Sequence, residues 1–106
     1  MSSPLGDKLR LLRKKKGLSL EQLAALTESS KSYIWELENR DAPNPSAEKM
    51  VRLAASLDVT PEFLLSTTVS TPDGEVVDQA FFRKYQNLPE PEKKKIRKIV
   101  AGWEDE

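Results

Sequence analysis

Apolar positions recur along this chain at helical spacing, and no stretch alternates as a strand would. Leu5, Leu9 and Leu12 lie on one stripe of a first helix, from about residue 5 to residue 16, which Gly17 stops. Ser19 and Gln22 have the spacing of a capping box, and Leu18 and Leu23 bracket it as a hydrophobic staple. A second helix therefore starts there and continues through Ala24 and Leu26 to Thr27. The polar run Thr27-Glu28-Ser29-Ser30 leaves room only for a sharp turn, and Ser30, a capping residue type, opens a third helix over Lys31 to Glu38. After Asn39, Pro43 and Pro45 remove donors and forbid continuation. Ser46 caps a fourth helix that carries Met50, Leu53, Ala54 and Leu57 inward. Thr60-Pro61 opens a fifth, with Val59 and Leu64 as a second staple.

Residues 66 to 75 turn to Ser, Thr, Pro and Gly, the signature of a linker. Two further helical patterns follow. One runs from Val76 to about Gln86 with Val77, Ala80, Phe81 and Tyr85. The other, from about Glu90 to Trp103, has Ile96, Ile99, Val100 and Trp103 at i, i+3, i+4 and i+7. The expectation is an all-α chain: a five-helix unit over 5–65, a linker over 66–75 and a helical extension over 76–104.

Composition narrows the chemistry. With 17 Lys and Arg against 17 Asp and Glu there is no global pull toward a polyanion, so any such attraction must be local. The chain has neither Cys nor His, which removes disulfides, the usual zinc sites and the common nucleophile–base pairs. No Gly-rich loop cradles phosphate, and the carboxylates are scattered. An enzyme is the weakest option, and no metal or cofactor is expected. No apolar run approaches the length of a membrane span, so a soluble, cytoplasmic protein without membrane contact is expected.

The third helix carries the sharpest signal. At about 100° per residue, Tyr33, Ile34 and Leu37 share one apolar sector that must pack inward. Lys31, Ser32, Trp35, Glu36 and Asn39 share the opposite face. A cation, a hydroxyl, an indole, a carboxylate and an amide together suit base edges better than the repeated Lys and Glu of a solvated face. Two short helices joined by a tight turn are also the arrangement that projects a helix into the major groove of DNA.

On these residues the chain resembles the Xre/Cro/CI family of phage-repressor-like helix-turn-helix regulators. The matching segments are residues 18–24, 30–34, 37–39 and 53–65, and the similarity as a whole spans 5–65. The resemblance implies a lambda-repressor-like five-helix fold, a double-stranded DNA operator and a homodimer acting as a repressor. By position it implies base reading by Lys31, Ser32 and Glu36, phosphate contacts from Ser30 and Asn39, and an internal ion pair between Arg13 and Glu38. Three positions depart from the family pattern. Glu28 stands where the turn usually has Gly, at a cost of roughly 1 kcal/mol if the residue is left-handed. Ser29 replaces an apolar residue, and Leu20 replaces a polar phosphate contact.

Several side chains leave alternatives open. Trp35 either packs on a neighbouring loop, touches a thymine methyl as a fourth base-reading residue, or enters a dimer contact. Glu36 is either a base acceptor or a solvated acid. Arg40, the cation of a loop otherwise poor in basic residues, is expected on phosphate. The cluster Arg10, Arg13, Lys14, Lys15 and Lys16 either complements the end of the first helix or places Lys16 on phosphate. Phe81, Phe82, Tyr85, Ile96, Ile99, Val100 and Trp103 are too many large apolar groups for a solvated tail. They bury within the chain, in a dimer, or against another protein. A second class of function is therefore an antitoxin-type module, with a toxin or regulatory protein on these helices and DNA binding that only autoregulates.

Overall fold

The computed structural model describes residues 3–40, 44–66 and 72–104, and these form seven α-helices. They are α1 Pro4–Lys15, α2 Leu20–Leu26, α3 Lys31–Asn39, α4 Ala47–Ser56, α5 Pro61–Leu65, α6 Gly74–Gln86 and α7 Glu90–Glu104. Asp41, Ala42, Pro43 and residues 67–71 of the expected linker lie outside the described residues.

The starts of these helices follow from single residues. Ser19 accepts from the Gln22 amide, and the Gln22 side chain accepts from the Ser19 amide, so the capping box is complete. Ser30, Ser46 and Thr60 cap α3, α4 and α5 from one side only, each accepting from the amide three residues on. One boundary differs from the sequence reading. Asp73 accepts from the Val76 amide and starts α6 at Gly74, so the last residues assigned to the linker are helical. Composition pointed to a linker there, but one capping carboxylate was enough to begin the helix earlier.

Leu9, Leu12, Leu23, Ile34, Leu37, Leu53, Leu57, Val59 and Leu64 make the core, with α1 crossing α3 and α5 and α2 lying against α3 and α4. Each fully buried aliphatic contributes about 1.5–3 kcal/mol relative to exposure. Gly6 sets the approach of α1 to α3. A Cβ there would stand 2.5 Å from the Leu37 carbonyl oxygen and 2.9 Å from that of Glu38. Only glycine lets the helices come this close.

Lys8 is buried, and burial lowers its pKa. Its ammonium sits 4.4 Å from the Phe63 ring centroid and donates to the Phe63 carbonyl at 2.8 Å and to that of Ser66. It thereby adds a second donor to the Phe63 carbonyl, which the Ser66 amide also reaches, and gives a donor to the Ser66 carbonyl just past the end of α5.

α6 docks on α4 through Ala80, which is buried, and through Val76, which packs against the core. Two ionic contacts flank the dock. Arg83 donates to both Glu62 carboxylate oxygens, at 3.1 and 3.2 Å, and Lys84 pairs with Asp58. Of the large apolar groups of the extension, Phe81, Phe82, Ile99, Val100 and Trp103 remain exposed, the last at 71%. Burial within the chain, one of the three expected fates, does not describe them.

Candidate nucleic-acid interface

The third helix is fixed from within. Ile34 and Leu37 are buried, and Tyr33 is half-buried, its phenol pKa pushed up by that burial. Glu38 completes the inner side. Its carboxylate accepts from Arg13 Nε at 2.7 Å and Arg13 Nη2 at 3.0 Å, and Arg13 Nη1 reaches the Leu18 carbonyl at 2.8 Å. The fork geometry of guanidinium on carboxylate leaves little rotational freedom. One residue pair therefore ties α1 to the end of α3.

Lys31, Ser32, Trp35 and Glu36 all face solvent on the outer side of α3. Each sequence-expected base-reading residue thus stands on a single exposed strip. Lys31 Nζ lies 3.3 Å from the carboxylate of Glu21, at the start of α2, and both side chains are well exposed. The sequence offered no sign of this partner, because only the packing of α2 against α3 brings the two helix starts together. Trp35 is 46% exposed, and the Arg40 guanidinium lies 6.0 Å from its ring centroid.

The residues expected on phosphate are placed less uniformly. Ser30 accepts from the Tyr33 amide, which leaves its hydroxyl proton free to donate outward. Asn39 donates from Nδ2 to the Trp35 carbonyl at 2.9 Å, keeping one further amide proton. Arg40 is exposed just past the end of α3. Lys16 is engaged elsewhere: it pairs with Asp58, the same carboxylate that receives Lys84 from α6. It therefore points to the junction of α4 and α5, away from the group around α3.

The turn between α2 and α3 keeps its shape without glycine. Glu28 is left-handed, with φ of 55°, and the strain expected there is present and tolerated. Asp58, with φ of 59°, plays the same part between α4 and α5. Aspartate is among the few residues enriched in this conformation.

A second exposed surface lies on α6 and α7. Phe81, Phe82, Tyr85, Ile96 and Val100 line an open cavity of about 340 Å³. Phe81 and Tyr85 stack at 6.5 Å between centroids, and Arg97 donates to the Tyr85 hydroxyl at 2.7 Å. Ile99 and Trp103 continue this apolar surface along α7. Among the described residues no group of acidic side chains is gathered so as to hold a metal ion, and no helix is long and apolar enough to cross a membrane.

Residues 4–64 match the family model described as a helix-turn-helix domain. The chain is 34% identical over 73 residues to the HTH-type transcriptional regulator SinR of Bacillus licheniformis, covering 68% of this chain and 66% of that protein. A crystal structure of the biofilm regulator SinR in complex with DNA superposes with a TM-score of 0.55 at 35% identity, over 58% of this chain and 98% of that one. A chain of a SinR–SinI protein complex is similar over 96% of this chain and 99% of its own length, with a TM-score of 0.58. At 24% identity that last likeness speaks for the fold alone.

Proposed function

The chain belongs to the Xre/Cro/CI-type helix-turn-helix family, and from that premise we propose that it is a sequence-specific, double-stranded DNA-binding regulator of transcription. It acts as a cytoplasmic repressor and places α3 in the major groove. Its task is binding rather than catalysis. The observation that carries the reading is the two-sided character of α3: Ile34, Leu37 and Glu38 anchor one side, and Lys31, Ser32, Trp35 and Glu36 are presented together on the other.

The chemistry fits base edges. Lys31 donates to guanine O6 and N7, Glu36 accepts from cytosine N4, Ser32 serves either, and the Trp35 indole reaches a thymine methyl. Ser30, Asn39 and Arg40 hold phosphate oxygens, which fixes register without reading sequence. With Lys16 held by Asp58, the phosphate set rests on these three.

The exposed apolar surface of α6 and α7 serves assembly, most simply of two copies, since regulators of this geometry read half-sites about 34 Å apart. A regulatory protein on the same surface is the alternative occupant. The relatives are themselves described as transcriptional regulators, and one was crystallised on DNA. The test of the interface is amide mapping by NMR as duplex is added. Shifts should concentrate at residues 30–40 and the start of α2. Shifts confined to α6 and α7 contradict the assignment.

A further inference from the structure

Lys49 stands in the first turn of α4, yet its ammonium serves another element. Nζ donates to the Ser29 hydroxyl at 2.8 Å, the Thr27 carbonyl at 2.9 Å and the Glu28 carbonyl at 3.3 Å. It also lies 5.6 Å from the centroid of the Tyr33 ring, in the first turn of α3. All three acceptors belong to the turn between α2 and α3. Three positions along α4, Arg52 pairs with the carboxylate of Glu28 and with that of Glu48. The i, i+3 spacing puts both cations on one side of α4.

That turn has two needs that α2 does not meet itself. The Thr27 and Glu28 carbonyls lie beyond those of residues 23–25, which the following backbone amides cap, and α2 has no basic residue in its final turn to cover them. Glu28 holds a left-handed conformation that glycine would adopt without strain. Lys49 answers the first need and Arg52 steadies the second. An ammonium already shared among three acceptors and a ring is also poorly placed to reach outward to phosphate.

We infer that Lys49 and Arg52 are positioning residues for DNA recognition. They clamp the glycine-free turn from α4 and so set the angle at which α3 presents Lys31, Ser32 and Glu36. The inference rests on α3 being the recognition helix. Neither cation reads a base.

The test uses the full chain as Lys49→Met, which keeps the apolar stem near Tyr33, together with Glu28→Gly and the double variant. Hydrogen exchange is measured without DNA, and binding is measured on a selected duplex and its single-base variants. Lys49→Met should speed exchange at residues 28–33 while leaving the core amides of α1 and α5 unchanged. Affinity should fall about tenfold, as for coupled neighbours, with reduced discrimination at the base pair read by Lys31. Glu28→Gly should restore both in the double variant, because a comfortable turn no longer needs the clamp. If Lys49→Met does not fold, Arg52→Gln must give the same changes in smaller measure.

Unchanged exchange and unchanged discrimination overturn the inference. So does intact discrimination with a salt slope lower by about one, the mark of a direct phosphate contact. Should Lys31→Ala leave base preference untouched, the recognition-helix reading fails instead, and the exchange result still reports on the clamp.

Discussion

The guanidinium of Arg13 meets the carboxylate of Glu38 through two hydrogen bonds, 2.7 and 3.0 Å long, with the glutamate side chain only 1% exposed. A buried pair of this kind adds little over a well-packed apolar pair, but removing one member strands the other. Glu38→Gln should therefore cost about 3–5 kcal/mol in urea unfolding. Arg13→Met combined with Glu38→Leu should recover most of that loss. A single-variant loss below about 1 kcal/mol would show that the pair does not organise α3.

Phosphate and base contacts are separable by how selectively a variant loses affinity. Asn39→Ala should weaken binding to every duplex alike, by about 1 kcal/mol, and Arg40→Gln should lower the salt slope by about one. Titrations of matched and mismatched duplexes over a range of salt check both. A loss confined to one base pair contradicts the phosphate role.

The contact between α6 and α5 carries a pH signature. Hydrogen bonds from Arg83 hold the Glu62 carboxyl below its ordinary value of 4.5. A depressed carboxyl contributes stability that is present above the ordinary value and lost as pH falls through the lowered one. Docking of α6, read from protection of the Ala80 amide, should weaken in that acidic window. In Arg83→Gln, the Glu62 titration followed by NMR should move up toward the ordinary value. Identical titration in both proteins contradicts the contact.

The apolar surface of α6 and α7 should be an assembly surface. Phe81→Asp alters a residue that is 57% exposed, so the fold should survive. Sedimentation velocity should show a dimer becoming a monomer, with loss of cooperative operator binding. An unchanged dimer moves assembly to another surface.

What the sequence made legible was mostly local. Ser19, Ser30, Ser46 and Thr60 act on amides within three residues of themselves, so their effects could be read from spacing alone. The inward face of α3 was equally plain, because Ile34 and Leu37 obey the helical period. Tertiary consequences were not. Gly6 looks like an ordinary helix residue until α3 crosses it, and Glu21 gains meaning only from its approach to Lys31. Lys16 fitted a phosphate contact by charge and position, yet the left-handed corner at Asp58 draws it aside. That Glu28 stands where a turn glycine is usual is visible in the sequence, but its partners on α4 arise only from tertiary packing.

The central claim is that the outer face of α3 reads base sequence, and its most direct test is selection of bound duplexes from a random pool at fixed salt, run in parallel on the wild-type chain and Lys31→Ala. The wild type should enrich paired half-sites about one helical turn apart. The variant should enrich the same motif with one base pair per half-site relaxed, at a cost of about 1–3 kcal/mol. An identical motif from both proteins, or no motif from the wild type, contradicts the account.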